Sequence, residues 1–402
     1  MTRKTARRQR GAGSLFQRAS DGQWMGVVDL GVGGDGKRRR KTVSSKSYDT
    51  ASRKLRDLRR QVDDAGGDIP TAATTVAAWL DTWLDNIAAP RLRPKTISQY
   101  RSDVRVHITP ALGRHRLDKL APQHVRAMHT AITGKGNSPT TALRCHAVLS
   151  KALTDAMREG LIARNVASLV DRPRKAASTR GALTADQGRT LLRSVAADAL
   201  GARWAAALLT GARQGELLGL QRHRVTTHLD LSWQLQRLPY THGCQPGCGK
   251  ARAGSCPDAR LEVPAGFEYQ QLSGSLCLTR PKSKAGHRIV PLVEPLRSIL
   301  ARHIAATDPG PHGLVWSNDG KPIHASADLK AWHAALERAG LPSVPLHAAR
   351  HTTATLLLEA GVDAHVIMAI LGHSSVLTSR GYLHVSQGLS IAALERLSLA
   401  LD

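Results

Sequence analysis

A basic, proline-containing segment separates the last of three compositionally distinct parts of this chain from the two parts before it. Residues 170–183, "VDRPRKAASTRGAL", contain few large apolar side chains, so they predict an interdomain linker, which we place at residues 173–183. The chain has 402 residues, enough for two or three domains. Because aromatic residues make up only 3% of it, we expect cores of Leu, Val, Ile and Ala.

Residues 13–67 carry the pattern of three strands followed by a helix, and we predict a domain over residues 1–70. The segments "SLFQRA" and "WMGVVDL" flank an Asp21-Gly22 pair, which indicates a β-hairpin. The segment "KRRRKTVSS" follows a second turn and predicts the third strand. Asp49 or Thr50 is predicted to cap a helix over "ASRKLRDLRRQVDD".

The third strand begins with five consecutive cations. Such a run also occurs on solvated edge strands, where it prevents aggregation. In a chain with a formal net charge of +26, we favour a sheet that binds nucleic acid. The predicted DNA-binding residues of this strand are Lys37, Arg38, Arg39, Arg40 and Lys41.

Residues 74–172 are predicted to form an all-helical domain. An apolar stripe follows a threonine cap, and Pro94 occupies the first turn of the next helix. The stripe consists of Trp79, Leu80, Trp83, Leu84 and Ile87. Cations along these helices predict contacts with a phosphate backbone, although an ordinary solvated face would show the same pattern. The candidates are Arg93, Lys95 and Arg101.

The charge of +26 points to a polyanionic partner, because such an excess repels itself and does not serve folding. A GC-rich coding sequence would also enrich arginine, and ribosomal or chromatin-like proteins share this charge. No apolar run approaches the roughly 20 residues needed to span a bilayer, and "MTRKTARRQRG" lacks the apolar core of a signal peptide. We therefore expect a cytoplasmic protein without a membrane partner. Its five cysteines do not predict a disulfide framework.

Residues 184–402 form a third predicted domain, of mixed α/β character. Thr184 is predicted to start a helix, and "LSWQLQRL" alternates apolar and polar residues as a half-buried strand does. The segments "LCLTR" and "HRIVPL" flank "PKSKAG" and predict a hairpin.

Two short segments of this domain place charged groups one helical turn apart. In "TGARQGELLGL", Glu216 lies three residues after Arg213, a spacing that a structural ion pair would also show. In "LHAARHTTATLL", His347 and Arg350 stand at the head of a predicted helix. Cations there oppose the helix dipole, so an anion is expected at that end of the helix.

A phosphodiester reaction would use these residue types. Guanidinium groups match the non-bridging oxygens of a phosphate, while His and Lys can transfer protons. Tyr382, in "SRGYLHV", offers a phenol that can form a covalent phosphotyrosine, and His373 lies nine residues before it. The sequence shows no Asp/Glu cluster suited to two Mg²⁺ ions, which disfavours a two-metal nuclease.

Five motifs, in this order, resemble those of the tyrosine recombinase (phage integrase) family: "GARQGELLGL", "PKSKAGHRIVPL", "LHAARHTTATLLLEAGV", "ILGHSS" and "GYLHV". Their order and spacing match over residues 184–385. The resemblance implies a multidomain protein with an N-terminal β3α arm-binding domain and an all-α core-binding domain. A mixed, mainly-α catalytic domain with a small antiparallel sheet would follow.

The resemblance also implies a role for each motif residue. Arg213 and Arg350 would clamp the scissile phosphate, and Tyr382 would attack it to leave a 3′-phosphotyrosyl bond. A lysine of "PKSKAG" would protonate the leaving 5′-oxygen; Lys282 and Lys284 both fit, and Lys282 is preferred because it follows the strand directly, as in relatives. The remaining implied residues are His347 (base or phosphate ligand), His373 (hydrogen-bond donor) and Glu216 (support for the first arginine).

The implied function is site-specific recombination that integrates or excises a phage or integrative element, without ATP or a metal. Its partners would be double-stranded DNA attachment sites, an excisionase-type directionality factor and a host DNA-bending protein. On DNA the chain would assemble as a homotetramer. A type IB topoisomerase-like relaxing enzyme and a non-catalytic DNA-binding regulator are the alternatives. The C-terminal helical stripe would pack on its own domain or on a neighbouring protomer; it consists of Ile391, Leu394, Leu397 and Leu401.

One cysteine cluster is not required by this resemblance. The loop "THGCQPGCGKARAGSCPD" has a C-x3-C-x7-C spacing beside a histidine, which could supply four tetrahedral zinc ligands. A glycine-rich insertion with free thiols is the alternative. The predicted ligands of a structural zinc ion are His242, Cys244, Cys248 and Cys256.

Overall fold

Two compact units, Met1–Ala177 and Ser178–Asp402, make up the computed structural model of this chain. The structure describes residues 14–32, 38–64, 74–175, 181–244, 247–282, 286–372 and 387–401. The boundary between the units falls in the basic segment 170–183. The first unit contains two separate hydrophobic clusters, and the second is built around one.

The first unit begins with a three-stranded antiparallel sheet in which β2 is central. Its strands are β1 (Ser14–Gln17), β2 (Trp24–Val32) and β3 (Arg38–Ser45). Gly22 in the first turn adopts φ +67°, as the predicted hairpin requires. Helix α1 (Tyr48–Asp64) covers one face of the sheet through a small core with Val28, Leu55 and Leu58.

The predicted cap of α1 is wrong. The helix begins at Tyr48, before both Asp49 and Thr50, and the amide of Ala51 donates to the carbonyl of Ser47 at 3.0 Å. Ser47 therefore occupies the cap position, while Asp49 lies in the first turn. A carboxylate in the first turn still stabilises the helix because it faces the positive end of the dipole.

The remainder of the first unit is helical. Trp79 and Trp83, from the predicted apolar stripe, are buried, and their indole N–H groups donate to the carbonyl of Ala152 (3.0 Å) and to Asp155 Oδ2 (2.8 Å). Pro94 occupies the first turn of α3, as predicted. The helices are α2 (Val76–Thr82), α3 (Pro94–Asp103), α4 (Thr109–Leu112), α5 (Pro122–Gly134) and α6 (Pro139–Arg158), with π-helical turns at Trp83–Ala88 and Val104–Ile108.

The second unit packs eight described helices around its core. Thr184 caps the first of them, as predicted, and forms a capping box with Gln187. Every residue of α8 is buried. The helices are α7 (Ala185–Ser194), α8 (Gly201–Thr210), α9 (Gln214–Leu218), α10 (Leu296–Ala306), α11 (Ala325–Arg338), α12 (His347–Glu359), α13 (Ala364–Leu371) and α14 (Gln387–Leu401).

In the sequence, the strands of several small antiparallel sheets lie between α9 and α12, together with α10 and α11. Strand β5 pairs with β9, which pairs with β8; β10 pairs with β4; β6 pairs with β7; and β11 pairs with β12. The strands are β4 (His228–Asp230), β5 (Gln234–Arg237), β6 (Tyr240–His242), β7 (Ala259–Leu261), β8 (Tyr269–Ser273), β9 (Leu276–Thr279), β10 (Ile289–Pro291), β11 (Ser317–Asn318) and β12 (Lys321–Pro322).

The hairpin predicted around "PKSKAG" is wrong. Strand β9 pairs with β5 and β8, whereas β10 pairs with β4, so the segments that flank this loop belong to different sheets. Both flanking segments are strands, as their composition suggests. Their pairing partners, however, are distant in the sequence, and turn residues carry no information about such partners.

The C-terminal helix α14 packs within its own unit. Leu394, Leu397 and Leu401 are buried in the same core as α8 and α12, so within this chain the stripe packs on its own domain. Removing α14 would therefore expose the core of the second unit. In the described part of the chain, no helix has both the length and the apolar character needed to cross a membrane.

Candidate active site

The corner between α8 and α9 determines where Arg213 lies. Helix α8 ends at Thr210 and is capped by Gly211, whose φ of +59° lies in the left-handed region. A Cβ atom at this position would lie 2.4 Å from Cδ2 of Leu371, so the approach of the two segments also requires glycine. Arg213 follows as the cap residue of α9, with an extended backbone.

Glu216 binds Arg213 in two ways. Its Oε2 accepts from the backbone amide of Arg213 at 2.7 Å, and its Oε1 accepts from Nη1 of the same residue at 2.7 Å. Glu216 is only 2% exposed, whereas the side chain of Arg213 is 37% exposed. The carboxylate thus fixes both the backbone and the guanidinium group of Arg213 while leaving part of the guanidinium accessible.

Arg288 is a further member of this cluster that the sequence did not identify. Its Nη1 and Nη2 donate to Oε1 and Oε2 of Glu216 at 2.9 and 2.8 Å, and its Nε donates to the carbonyl of Ile370 at 2.8 Å. The ion pair is buried on both sides. Arg288 belongs to the segment "HRIVPL", for which the sequence predicts only a strand; the available signal in the sequence was a cation directly before apolar strand residues.

Arg350 lies in the first turns of α12 and is 3% exposed. Its Nη1 donates to the carbonyl of Gly211 at 2.8 Å, and its Nη2 donates to the carbonyl of Leu371. A hydroxyl on the same helix, Thr353 Oγ1, donates to the carbonyl of Leu208 at 2.8 Å. Helix α12 is thereby held against the end of α8.

The two predicted phosphate ligands meet at the C-terminus of α13. This helix ends at Leu371 and is capped by Gly372, which adopts φ +67°. The carbonyl of Leu371 accepts from Arg350, and the carbonyl of Gly372 accepts from Arg213 Nη2 at 3.0 Å. The chain continues directly to His373; His373 and Tyr382 lie outside the described residues.

The cluster carries more positive than negative charge. Three guanidinium groups (Arg213, Arg288 and Arg350) surround the single carboxylate of Glu216, which leaves an excess of two positive charges. Burial, and then the charges of Arg213 and Arg288, lower the pKa of Arg350 to about 9. Burial would raise the pKa of Glu216, but hydrogen bonds and charges from Arg288 and Arg213 hold it below its ordinary value. An anion would relieve this excess.

His347 and Lys282 lie on other elements of the same unit. His347 is the first residue of α12, is exposed, and has its ring centroid 5.0 Å from that of His351 in a perpendicular arrangement. Lys282 is exposed in the segment after β9. Among the described residues, no hydrogen bond or ion pair joins Lys282 to the arginine cluster. Lys284 lies outside them.

A buried polar network anchors the start of α9. Gln214, next to Arg213, donates from Nε2 to Asp328 Oδ2 at 2.9 Å and to the carbonyl of Ala325 at 2.8 Å. Asp328 in turn forms a fully buried ion pair with Arg203 at 3.0 Å. The position of Arg213 thus depends on α8 and α11 as well as on α9.

The predicted DNA-binding residues of β3 lie on two faces of the sheet. Arg38 and Arg40 are exposed on the face away from α1, and Arg38 pairs with Asp29 at 2.8 Å. Arg39 and Lys41 are half-buried and alternate with them, on the face that carries Val43 into the core with α1. Lys37 lies outside the described residues.

The predicted DNA-binding residues of the helical part differ in their surroundings. Lys95, in the first turn of α3, is exposed, whereas Arg93, the residue before this helix, is half-buried. Arg101 forms an ion pair with Asp85 at 2.6 Å. This pair neutralises the charge that Arg101 could offer to a phosphate, so Lys95 is the strongest candidate of the three.

The four predicted zinc ligands lie together. The ligand atoms of His242, Cys244, Cys248 and Cys256 are all within 4.8 Å of one another, in the hairpin formed by β6 and β7. Neither β6 nor β7 contributes a residue to the arginine cluster. The two groups of residues are therefore separate features of the second unit.

Two family models match this chain. The phage integrase family model matches residues 271–388, and the model of the phage integrase N-terminal SAM-like domain matches residues 75–131. An integrase of Saccharopolyspora erythraea is 31% identical, and the alignment covers 99% of this chain and 98% of that protein. An integrase of Streptomyces ambofaciens is 27% identical, with 92% and 90% of the two chains covered.

Solved structures show a similar fold. A lambda integrase dimer bound to a COC′ core site has a TM-score of 0.53 at 17% identity, over 99% of this chain and 97% of that chain. The Tn1549 transposon integrase in complex with transposon right end DNA has a TM-score of 0.60 at 19% identity, over 81% of this chain and all of that chain. An N-terminal sheet, a helical part and a mixed C-terminal part are consistent with these neighbours.

The family-model match and the integrase relatives, to which the arginine cluster adds a site with excess positive charge, identify a DNA recombinase of the tyrosine type. The chain belongs to the phage integrase family, which confirms the resemblance seen in its motifs. It is a site-specific integrase of mobile elements, and catalysis in this family generally needs no cofactor.

Proposed function

We propose that Arg213 and Arg350 hold the scissile phosphate of an attachment site while Tyr382 attacks it. The observation that carries this proposal is the cluster of three guanidinium groups around one buried carboxylate, because its two excess positive charges match a phosphodiester anion. The cluster lies at the end of α13, from which the chain continues towards His373 and Tyr382.

Each arginine of the clamp has a different task. Arg350 spends two of the five N–H donors of a guanidinium on the carbonyls of Gly211 and Leu371, which fixes its plane. Its remaining donors, and those of the more exposed Arg213, bind the non-bridging oxygens of the phosphate. Because these donors are in place before DNA arrives, they stabilise the developing charge without reorganisation.

The covalent step replaces one phosphodiester bond with another. The phenol oxygen of Tyr382 attacks phosphorus as its proton passes to His347, and the bond from phosphorus to the 5′-oxygen breaks. The leaving 5′-oxygen takes a proton from Lys282, and His373 donates a hydrogen bond to the phosphate. Attack by another 5′-hydroxyl reverses these steps and joins the strand to a new partner, so no external energy source is required.

Arg288 and Glu216 act as positioning residues in this scheme. Arg288 keeps Glu216 ionised and oriented, and Glu216 holds Arg213. Arg288 also donates to the carbonyl of Ile370, next to the carbonyls that the clamp binds. This one network therefore connects the clamp to the end of α13.

The domains have separate DNA tasks. We assign residues 1–70 to arm-type DNA binding, through the sheet face that carries Arg38 and Arg40, and residues 74–172 to the core site, with Lys95 as a contact. Residues 184–402, after the linker 173–183, carry catalysis. The active assembly is a homotetramer on paired attachment sites in the cytoplasm, with a directionality factor and a DNA-bending protein as accessory partners. Lambda integrase forms a tetramer bound to a Holliday junction, which supports this assembly.

A suicide DNA substrate tests the covalent step. The substrate carries the attachment core, taken from the DNA that flanks the gene, and a nick that lets the cleaved fragment diffuse away. We expect a protein–DNA adduct with the wild-type chain and none with Tyr382→Phe, which keeps the ring but lacks the hydroxyl. An adduct that persists in Tyr382→Phe would refute the assignment. Adducts without strand exchange between two sites would indicate a relaxing enzyme instead.

A sulfur-substituted substrate distinguishes Lys282 from Lys284. In this DNA the bridging 5′-oxygen is replaced by sulfur, which leaves as a thiolate and needs no proton. We expect Lys282→Ala to cleave ordinary DNA slowly and the sulfur-substituted DNA at the wild-type rate, with Lys284→Ala as the matched control. If the sulfur-substituted DNA restored the cleavage rate of Lys284→Ala and not that of Lys282→Ala, Lys284 would be the general acid.

A further inference from the structure

The hairpin of β6 and β7 brings four potential metal ligands together. Nδ1 of His242 lies 3.5 Å from Sγ of Cys248 and 4.0 Å from Sγ of Cys244. The backbone amide of Cys248 donates to Sγ of Cys244 at 3.2 Å, which orients that sulfur. Cys256 completes the group, and the four ligand atoms all lie within 4.8 Å of one another.

This part of the chain has almost no hydrophobic core. Among the described residues from 239 to 275, Cys256 is the only buried one. Strands β6 and β7 contribute only three residues each, and an isolated two-stranded hairpin is marginally stable in water. Its ordered geometry therefore needs a stabilising element other than apolar packing, as in other small metal-bound folds.

We propose that His242, Cys244, Cys248 and Cys256 bind one zinc ion that holds this hairpin together. Tetrahedral zinc with bonds of about 2.3 Å to sulfur and about 2.0 Å to nitrogen places neighbouring ligand atoms roughly 3.5–3.8 Å apart. The distances in the hairpin agree with this value after small rotations of the side chains. All three cysteines are free thiols, so no disulfide competes for them.

A second group of potential ligands in the described residues fits a metal less well. Asp103, His107 and Cys145 are also close together, but Asp103 is committed to Arg144 by two hydrogen bonds of 2.7 and 2.8 Å. Burial raises the pKa of the Cys145 thiol to about 12. The hairpin offers four ligands without a competing cation, so we assign the metal to it.

The zinc site is structural and separate from the covalent chemistry. Three thiolates and one imidazole fill a tetrahedral shell, so no open position remains for a substrate. The hairpin leaves the sheet after Arg237, which pairs with Leu276 at the start of β9, whereas Lys282 follows the opposite end of β9. The site therefore stabilises the hairpin and leaves the cofactor-free reaction of the family unchanged.

Metal analysis of the full-length chain tests this proposal. We expect one zinc ion per chain after purification without chelators, and cobalt substitution should give tetrahedral absorption bands with a thiolate charge-transfer band. Cys248→Ser should lose most of the zinc and the charge-transfer band. Cys277→Ala, which removes a buried thiol outside the cluster, should keep both. The same loss in Cys145→Ala, with zinc retained in Cys248→Ser, would assign the metal to the other group and overturn the proposal.

Trypsin provides a second readout that needs no variant. Lys250 and Arg252 are exposed between Cys248 and Cys256, so cleavage after them reports whether the hairpin is ordered. We expect a strong chelator to speed cleavage there at least tenfold, with no change at the exposed Arg174 and Lys175. Equal rates with and without the chelator, the absence of zinc, or an octahedral cobalt spectrum would each overturn the proposal.

Discussion

Glu216 and Arg288 form a bidentate ion pair, with hydrogen bonds of 2.9 and 2.8 Å, and both residues are buried. The same carboxylate accepts two further bonds from Arg213, so each of its oxygens has two donors. One buried acid thereby fixes Arg213, the proposed phosphate ligand, and ties it to Arg288, the residue before β10. Replacing one buried member of such a network leaves the others unpaired.

Glu216→Gln should weaken both the fold and the reaction. The amide keeps the shape of the side chain but leaves Arg288 without a counter-charge, so we expect the free energy of unfolding to fall by about 3–5 kcal/mol. Denaturant titration measures the fall, and the rate of adduct formation on suicide DNA should drop as well. Glu337→Gln, an exposed change on α11, is the control and should alter neither quantity. A loss in Glu216→Gln no larger than in the control would contradict the buried network.

The stability that Glu216 contributes should depend on pH. Its pKa in the folded chain lies below the ordinary value of 4.5, so its contribution is complete above pH 4.5 and is lost as the pH falls through the folded pKa. The difference in stability between the wild type and Glu216→Gln should therefore shrink on acidification below pH 4.5. Thermal unfolding of both proteins between pH 3 and 7 tests this, and a difference that is constant over that range would refute it.

Oxyanions should stabilise the second unit. The two excess positive charges at Arg213, Arg288 and Arg350 make phosphate or vanadate a ligand of the folded state alone. At ten times its Kd such an anion adds about 1.4 kcal/mol, which raises Tm by a few degrees. Chloride at the same ionic strength should not raise Tm, and Arg213→Gln should abolish the rise that the oxyanion causes. The exposed change Arg302→Gln on α10 serves as the charge-matched control and should retain it.

Gly211→Ala should damage the clamp more than backbone strain alone would. The new alanine would have to adopt the left-handed backbone conformation at a cost of about 1–2 kcal/mol. Its Cβ would also lie 2.4 Å from Leu371 Cδ2. Gly340 provides a matched control, since its φ is +65° and no atom lies within 4 Å of an added Cβ. We expect Gly340→Ala to show only the backbone cost and Gly211→Ala to show a larger loss of stability and adduct formation. Equal effects would mean that the contact with Leu371 is not tight.

Local patterns in the sequence predicted local structure well. The capping box at Thr184, the turn at Gly22 and the buried Trp79 and Trp83 follow from residues within one or two turns of each other. The relation of Arg213 to Glu216 and the grouping of the four proposed zinc ligands are of the same kind, because each lies within one short segment. The predicted cap of α1 failed because several neighbouring residues could serve equally.

Non-local relations were beyond the sequence. The ion pair of Arg288 with Glu216 joins two segments that no periodicity relates, and the partners of Arg350 are backbone carbonyls, which any residue would supply. The strands on either side of Lys282 pair with strands elsewhere in the chain, so the predicted hairpin was wrong.

The sequence by itself determined which residue types were present for phosphate chemistry, in what order, and on which side of the basic segment 170–183. Only the tertiary structure decided which of them share one carboxylate, which backbone carbonyls fix the buried guanidinium group, and that α14 completes its own core. The physical reason is that periodicity and spacing act over a few residues, whereas burial brings distant groups together and then requires each of them to find a partner.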